Sequence, residues 1–337
     1  MLAHTRLVTT DLPASLGFTL TLWCFWRFLR KPGWLRWVAF GGALGMALVS
    51  KFSMVILLPL LGGLWMLWMF RPVQEKGERF RRGLVGFASL VGAFLMAISI
   101  IWLCYGFRYS ITKGEPAVED NWTHLEKEDG VPARVVRFAR DHELLPEGYL
   151  HGFSSITQKM QRQAFLDGEI STTGWWYYFP FAILLKTPVP FLGILLWLFI
   201  SGILKSTRPS FNTLFLGIPI ALYLFMAMTS TMNIGHRHII PIYPILMIFA
   251  GAASRFACAH GLPAKLVMAL LLLHSGSTLI STPRYLSYFN FLAGGADGGW
   301  KYLVDSNIDW GQDLPRLKSW MERNKISEVH LAYFGSD

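Results

Sequence analysis

Residues 83–105 read GLVGFASLVGAFLMAISIIWLCY and contain no charged side chain. An α-helix rises about 1.5 Å per residue, so roughly 20 apolar residues in succession cross the hydrocarbon core of a bilayer. The rest of the chain contains further segments of this kind. In all we predict eight spans, at about residues 13–29, 34–50, 53–70, 83–105, 177–203, 211–231, 239–255 and 264–282. The sequence therefore predicts an all-α polytopic membrane protein with about eight transmembrane helices.

The composition agrees with this fold class. Of the 337 residues, 53% are hydrophobic and 15% are charged, whereas soluble domains carry about 25% charged residues. The net charge of +10 does not indicate a nucleic-acid partner, because the basic residues form short clusters between apolar runs. The cysteines Cys24, Cys104 and Cys258 lie in or beside apolar runs, and their spacing indicates neither a disulfide framework nor a metal site. No metal and no other cofactor are expected.

The distribution of basic residues predicts the orientation. The short connections on one side carry Lys51 and Arg237, and those on the other side carry many more basic residues. The richer side has Arg27, Arg30, Lys31, Arg36, Arg71, Lys76, Arg79, Arg81, Arg82, Lys205, Arg208, Arg255 and Lys265. Because loops rich in Lys and Arg stay in the cytoplasm, we expect this side to be cytoplasmic.

Two longer stretches are then extracytoplasmic. The connection 106–176 is polar, with a short amphipathic helix expected at Val135–His142 and a mobile loop around Asp167 and Glu169. The tail 283–337 combines a helix at about 314–323 with a strand-like run at 329–334, which makes it a small α/β segment. A single strand cannot bury its own face, so we expect this segment to be incomplete. The predicted domains are 1–282, including the loop 106–176, and 283–337.

Polar residues collect repeatedly at the outer ends of the predicted spans. They are Asp11 at the start of the first span, Lys51 between the second and third, Lys186 inside the fifth, and His236, Arg237 and His238 between the sixth and seventh. Together they form a mainly cationic rim with one carboxylate. Such a rim suits a phosphate carried on a lipid whose tail lies among the helices. It equally suits an anion transporter, and residue chemistry alone leaves both open.

Each of these residues also has a purely structural explanation. Asp11 can cap a helix N-terminus, and Lys51 can extend its ammonium to the interface. The His-Arg-His run can be a surface turn, or a metal site for which no third ligand is evident. Lys186 is harder to explain in this way, because ionisable residues inside spans are rare and usually functional.

Five runs, taken in chain order, favour the lipid phosphate. They are residues 3–13 (AHTRLVTTDLP), 45–53 (GMALVSKFS), 168–169 (GE) with 174–180 (GWWYYFP), 233–244 (NIGHRHIIPIYP) and 305–314 (DSNIDWGQDL). Over essentially the whole chain this series resembles the phospholipid-carrier-dependent glycosyltransferases of the GT-C fold. That group includes the protein O-mannosyltransferases and the aminoarabinose transferases of lipid A.

The resemblance implies an integral membrane enzyme of the plasma (bacterial inner) membrane. Its reaction is the inverting transfer of a sugar, mannose-like in this family, from a polyprenyl-phosphate donor to an extracytoplasmic protein or lipid acceptor. By this resemblance Lys51, with Lys186, His236, Arg237 and His238, is expected to bind the donor phosphate. Asp11 is expected to contact the sugar or to support residues that do.

The general base is the part of the pattern that this chain lacks. Family members carry their catalytic carboxylate in an external loop that corresponds to a position before Met1, so we expect an N-terminally truncated chain that does not transfer sugar alone. Asp11 and Glu169 are the fallback candidates for the base. The alternative functions are a transporter or flippase for an anionic lipid or solute, and a non-catalytic membrane scaffold. The aromatic run near Trp175 favours an acceptor groove over a permeation path.

Overall fold

The computed structural model describes the chain except for residues 8, 73–76, 112–121, 123–124, 126–129, 158–162, 205–208, 258–260 and 332–337. The chain forms two compact units. The N-terminal unit comprises Thr10–Met160, and the C-terminal unit comprises Met1–Thr9 together with Gln161–Asp337. A separate domain at 283–337 stays a prediction.

The N-terminal unit is helical. Its helices are α1 (Asp11–Arg30), α2 (Trp34–Ser50), α3 (Leu57–Met69), α4 (Glu78–Cys104), α5 (Val131–Asp141) and α6 (Glu147–Thr157), with a 3₁₀ turn at Phe52–Ile56. Helix α2 packs against both α1 and α4. The core between them is apolar and includes Phe18, Phe25, Phe40 and Leu44, all of which are fully buried or nearly so.

Small residues let these helices approach closely. A Cβ atom added to Gly17 of α1 would lie 2.8 Å from the Cα atom of Ala47 in α2. A Cβ atom on Gly45 would lie 3.2 Å from the Cα atom of Ala97 in α4. Contacts of this kind are the usual way in which membrane helices pack without a large apolar driving force between them.

The amphipathic helix expected at Val135–His142 is confirmed as α5, which begins four residues earlier, at Val131. Its buried face carries Ala133, Val136 and Ala139, which pack in one cluster with Trp122, Leu125 and Leu150. The Nη1 atom of Arg137 donates to the carbonyl oxygen of Leu125 at 2.8 Å. The connection 106–176 is therefore folded where the structure describes it.

The C-terminal unit contains a small hairpin and the remaining helices. In chain order these are β1 (Ala164–Leu166), β2 (Glu169–Ser171), α7 (Tyr178–Lys186), α8 (Val189–Leu204), α9 (Phe211–Met228), α10 (Tyr243–Gly251), α11 (Ser254–Ala257), α12 (Leu262–Ile280) and α13 (Leu314–Asn324). Further 3₁₀ turns cover Leu2–Arg6, His236–Ile242, Phe291–Ala293, Gly299–Lys301 and Asp305–Asn307. Helix α8 packs against α10 and α12.

The hairpin corrects the expectation of a mobile loop around Asp167 and Glu169. Strands β1 and β2 are antiparallel, with Leu166 opposite Glu169. The two residues between them, Asp167 and Gly168, have φ angles of +50° and +87°. An Asp-Gly pair with positive φ at both positions is a preferred two-residue hairpin turn, and this signal was overlooked. The N–H of Asp167 also donates to the carbonyl oxygen of Tyr302 at 3.0 Å.

The fifth predicted span, 177–203, is interrupted, so its continuity is a second correction. Helices α7 and α8 meet at an angle of 116°. The break falls at Thr187, whose extended backbone (φ −101°, ψ 136°) precedes Pro188. Proline disfavours helical backbone in the residue before it and has no N–H to donate. The predicted span is thus a broken helix pair, and Lys186 is the last residue before the break.

Length and composition identify five helical segments of the described chain that can cross a membrane: Phe52–Met69, Glu78–Cys104, Phe211–Met228, His236–Phe256 and Leu262–Ile280. The bent pair α7–α8 makes six if it counts as one span. The other two predicted spans correspond to α1 and to α2, an apolar helix of 17 residues. The chain is an all-α polytopic membrane protein, as predicted. The orientation stays a prediction, and Lys76, Lys205 and Arg208 lie outside the described residues.

The tail is mainly loop, with the helix α13 close to its predicted place. The predicted strand at 329–334 is absent over residues 329–331, where the backbone is irregular, and residues 332–334 lie outside the described part of the chain. Ahead of α13, the segment around Ser306 and Asn307 is buried. This burial gives the tail a role in the site described next.

Candidate functional site

In the N-terminal unit, Asp11 and Lys51 form an ion pair. The Nζ atom of Lys51 lies 2.6 Å from Oδ1 of Asp11, and the exposed fractions of the two side chains are 17% and 2%. Asp11 begins α1, and Lys51 directly follows α2 with an extended backbone. The close packing of α1 on α2 at Gly17 aligns these two ends. A carboxylate therefore neutralises the positive charge of Lys51 locally.

Aromatic side chains pack together directly after Lys51 in the chain. The ring of Phe52 meets that of Tyr149 edge to face, with 5.2 Å between centroids. The hydroxyl of Tyr149 donates to the carbonyl oxygen of Leu48, three residues before Lys51, at 3.3 Å. Burial raises the pKa of Tyr149 to about 12, so this hydroxyl stays protonated at neutral pH. Helix α6 is thereby attached to the end of α2.

In the C-terminal unit, Lys186 makes a different set of contacts. Its Nζ atom donates to the carbonyl oxygens of Leu286 at 2.7 Å and Asn307 at 2.6 Å. It also lies 4.1 Å from the centroid of the Phe289 ring. Both hydrogen-bond acceptors are neutral, so these contacts orient the ammonium without cancelling its charge. The proline-induced break after Lys186 holds the residue at this position.

A chain of hydrogen bonds runs beside Lys186. The hydroxyl of Tyr243 is 2.6 Å from Nε2 of His236 and 2.6 Å from Oγ1 of Thr187. The backbone N–H of His236 donates to Oδ1 of Asn307 at 2.9 Å. Asn307 therefore touches the Lys186 ammonium through its carbonyl and the His236 backbone through its side chain.

The other two members of the His-Arg-His run differ in placement. The guanidinium of Arg237 lies 4.2 Å from the centroid of the Trp310 ring, a cation–π distance. The carbonyl oxygen of His238 accepts a hydrogen bond from the Tyr223 hydroxyl at 3.0 Å. Arg237 lines the cavity described below, whereas His238 is not among the lining residues.

Lys186, His236 and Arg237 line one cavity of about 290 Å³ within the C-terminal unit. Met1 to His4 form part of its wall, and helices α8, α10 and α12 contribute Phe191, Met247 and His274. No Asp or Glu belongs to the described residues that line it. The cavity thus joins two basic side chains to a largely apolar wall.

Sequence reasoning missed the residues that hold this cavity together. Asn307, only 1% exposed, donates from Nδ2 to the Tyr178 hydroxyl at 3.0 Å and to the Val304 carbonyl at 2.9 Å. Asn290 donates to the carbonyl oxygens of Leu184 at 2.6 Å and Thr187 at 2.8 Å. The available signal was Asp305-Ser306-Asn307, which opens the last of the five runs that carry the family resemblance, but the sequence predicted no role in the site for these residues.

Two of the runs that carry the family resemblance meet at Gly174. Its φ angle is +70°, and a Cβ atom there would collide with the side chain of Asn233. With glycine present, the N–H of Trp175 donates to Oδ1 of Asn233 at 2.6 Å. A left-handed backbone with so little space is a position that favours glycine. The aromatic run 174–180 is in this way tied to the segment that leads into His236.

The candidate carboxylates lie elsewhere. Glu169, one of the two fallback bases, is exposed at the start of β2. The carboxylate of Asp305 accepts from the N–H of Ser306, and that of Asp309 from the N–H of Asp313 at 3.4 Å. Asp11, the other fallback base, is held by Lys51. In the described residues, no group of three or more His, Cys, Asp or Glu side chains could hold a metal ion.

Comparison with known protein families identifies a match at the start of the chain. Residues 1–102 match the family described as dolichyl-phosphate-mannose-protein mannosyltransferase. No match was found among curated proteins or solved structures. The matched region contains the Asp11–Lys51 pair, whereas the Lys186 cavity lies outside it except for the wall formed by Met1 to His4. Over this first third, the chain is therefore similar to a family of glycosyltransferases.

Proposed function

We propose that this chain is a membrane glycosyltransferase whose donor is a sugar on polyprenyl phosphate, and that the Lys186 cavity receives the donor phosphate. The observation that carries the proposal is the incomplete hydrogen bonding of the Lys186 ammonium. An ammonium has three N–H donors, and two of them are used by the carbonyls of Leu286 and Asn307. The third is left for a ligand in the cavity that Lys186 lines.

The charge of the cavity supports a phosphate. Lys186 and Arg237 supply two basic side chains, and the described lining residues include no Asp or Glu. A departing lipid phosphate gains negative charge as the sugar leaves, and prearranged cations stabilise this charge most strongly where water is excluded. His236 and Tyr243 add groups that donate hydrogen bonds, with the donor on His236 depending on its tautomer.

The walls of the cavity support a lipid rather than a soluble phosphate. Pro188, Phe191, Met247 and Leu286 line it, and the surrounding α8, α10 and α12 are apolar helices of the membrane-spanning kind. A polyprenyl tail fits among such helices with its head group at their polar ends. A hydrated sugar phosphate without a tail would make no apolar contacts with these walls.

The remaining assignments complete the proposal. Asp11 contacts the sugar or holds Lys51 for it, and His238 supports the cavity through its backbone contact with Tyr223. Transfer inverts the anomeric centre and delivers the sugar to an extracytoplasmic protein or lipid. The donor sugar is mannose-like, in keeping with the family matched by residues 1–102.

A transporter or flippase of anionic lipids is the second candidate, and one observation favours it. Helices α7 and α8 form a pair broken by 116° with a lysine at the break. Transporters use broken helices of this kind to expose polar groups near the middle of the membrane. The two candidates share the ligand chemistry and differ in what happens to the bound lipid.

The test is a binding and translocation assay on the whole chain in proteoliposomes. Labelled polyprenyl-phosphate mannose should bind saturably, and polyprenyl phosphate should compete while the uncharged polyprenol does not. The lipid should not exchange between leaflets faster than in empty liposomes. Equal competition by polyprenol would exclude a phosphate-binding site. Rapid exchange between leaflets would support a flippase instead.

A pair of lysine variants makes this assay specific. Lys186→Met keeps an unbranched side chain, one atom shorter than lysine, and removes the charge. It should weaken donor binding by about a hundredfold, in line with the loss of a charge-assisted contact in an apolar site. Lys265→Met makes the same change at an exposed position of α12 that does not line the cavity. Equal affinity of the two variants would exclude Lys186 from the site.

A further inference from the structure

A second basic cavity lies in the N-terminal unit, where the end of α1, the end of α3 and the start of α4 meet. Its volume is about 510 Å³. The lining residues include four arginines, Arg30, Arg71, Arg81 and Arg82, and the described lining has one acidic residue, Glu78. The lining therefore carries a net charge of +3. Nothing in the donor chemistry above uses these residues.

Arg82 shows that part of this charge is not satisfied by the protein itself. Its Nη2 atom is 2.5 Å from Oε1 of Glu78, and its guanidinium lies 5.5 Å from the centroid of the Trp68 ring. Its Nη1 atom is buried and has no hydrogen-bond partner among the described residues. A buried guanidinium N–H without an acceptor is unfavourable, and an oxygen-rich anion in the cavity relieves it.

The surroundings of the cavity point to a membrane surface. Leu29, Trp68 and Val85 line it beside the arginines. On α4 the neighbouring Phe80 and Leu84 expose 77% and 59% of their surface, and the apolar part of that helix begins there. Basic groups next to exposed aromatic and aliphatic side chains are typical of the interface between lipid head groups and hydrocarbon.

We propose that this cavity binds an anionic phospholipid, with the phosphate among Arg30, Arg71, Arg81 and Arg82 and the acyl chains along the apolar face of α4. Guanidinium groups are suited to this role because they bind phosphate oxygens in a bidentate manner. Arg82 differs from a hydrated topology signal in its buried Nη1 atom, which has no hydrogen-bond partner among the described residues. The inference does not depend on the proposed sugar transfer.

The test measures lipid binding to the purified whole chain in neutral detergent by native mass spectrometry. Phosphatidylglycerol should bind saturably, and phosphatidylcholine, which has no net charge, should bind at least tenfold more weakly. The double variant Arg30→Gln/Arg81→Gln should lose roughly 30-fold in affinity for phosphatidylglycerol, since each basic residue near a lipid surface contributes about 1 kcal/mol. Inorganic phosphate at millimolar concentration should not compete.

The matched control is Arg27→Gln/Arg79→Gln. These arginines lie on the same helices, in the last turn of α1 and the first turn of α4, and are exposed, but neither lines the cavity. Arg27 and Arg30 also make matching ring contacts. The guanidinium of Arg27 lies 4.7 Å from the centroid of the Trp23 ring, and that of Arg30 lies 4.9 Å from the centroid of the Trp26 ring. This control should keep its affinity within about twofold, because it removes equal charge outside the site.

Three outcomes would overturn the proposal. Equal losses in both double variants would show diffuse attraction by a basic surface, and unchanged affinity in both would show that the arginines bind no lipid. Competition by inorganic phosphate would show a site for a soluble anion. Circular dichroism of each variant without lipid reports folding. If Arg30→Gln/Arg81→Gln loses its helical signal, the exposed Arg71→Gln replaces it, with a loss of about fivefold expected and unchanged affinity counting against the site.

Discussion

Lys51 in the N-terminal unit and Lys186 in the C-terminal unit come at the ends of α2 and α7, and the family resemblance implied that both bind the donor phosphate. Their surroundings differ in charge. Lys51 lies 2.6 Å from the carboxylate of Asp11, whereas Lys186 is held by two neutral carbonyl oxygens. A lysine neutralised by a buried carboxylate has little attraction left for an anion. The comparison therefore favours Lys186 as the phosphate ligand and gives Lys51 a structural share.

Loss of the Lys51 charge should produce the largest effect on stability. Lys51→Ala removes the ammonium that lies 2.6 Å from the carboxylate of Asp11, a side chain that is 2% exposed. Removing one partner of a buried pair costs about 3 kcal/mol or more in the free energy of unfolding. Denaturation of the purified chain in detergent micelles, followed by circular dichroism, measures the change.

The control for this prediction is the double variant Asp11→Leu/Lys51→Leu, which removes both charges. It should be at least 1 kcal/mol more stable than Lys51→Ala, because the buried carboxylate is removed together with the ammonium. A Lys51→Ala variant within about 0.5 kcal/mol of the parent would contradict a structural pair and return Lys51 to the list of phosphate ligands.

Asn307 should come second, with a loss of about 2 kcal/mol in Asn307→Ala. The side chain is buried and makes hydrogen bonds with His236, Tyr178 and Val304, and each buried group left unpaired costs about 1 kcal/mol or more. Thermal unfolding of the whole chain, with and without the substitution, measures this loss in the free energy of unfolding. Asn324→Ala is the control, because the exposed Asn324 side chain donates one hydrogen bond, to the carbonyl oxygen of Trp320 at 2.8 Å. Equal losses of unfolding free energy in the two variants would show that Asn307 does not stabilise the site.

Gly17→Ala should lower the free energy of unfolding by about 1 kcal/mol, because it disturbs the contact between α1 and α2 in the N-terminal unit. The new methyl group would come within 2.8 Å of the Cα atom of Ala47, so α1 must move away from α2. That movement also lengthens the Asp11–Lys51 contact. Gly42→Ala, for which no atom lies within 4 Å of the new Cβ, should be neutral or stabilising. Identical behaviour of the two variants would mean that α1 and α2 are not in close contact.

The smallest effect concerns a second ion pair of the N-terminal unit. Arg82 and Glu78 lie one helical turn apart, 20% and 23% exposed, with 2.5 Å between Nη2 and Oε1. Pairs of this kind contribute about 0.5 kcal/mol in water, so Glu78→Gln should cost far less than Lys51→Ala. Unfolding Glu78→Gln and Lys51→Ala under the same conditions compares their losses of unfolding free energy. A loss above about 2 kcal/mol in Glu78→Gln would show that burial does not explain the difference between the two ion pairs.

The sequence predicted the parts of this molecule that depend on local patterns. Apolar runs of about 20 residues correctly indicated a polytopic helical protein, and residues 135–142 indicated an amphipathic helix. The broken span and the hairpin were missed although their signals, Thr187-Pro188 and Asp167-Gly168, are local. In both cases the length of the surrounding segment was given more weight than the chemistry of two residues.

The partners of the candidate residues could not be predicted, because they are distant in the chain. Asp11 lies 40 residues from Lys51, and the two carbonyls that hold Lys186 lie 100 and 121 residues away from it. A residue pattern shows that an ionisable group lies near a membrane surface, but its counter-charge is fixed only by tertiary packing. For this reason Lys51, between two predicted spans, and Lys186, inside one, received the same prediction.

The central claim is that the donor phosphate binds beside Lys186, and photo-crosslinking tests it most directly. A polyprenyl phosphate with a diazirine next to the phosphate is bound to the whole chain, irradiated, and the labelled peptides are identified by mass spectrometry. The account predicts labels within residues 186–191 and 274–288, which line the cavity, and their loss in the presence of excess unlabelled polyprenyl phosphate. Competable labels confined to the segment around Lys51 would contradict it.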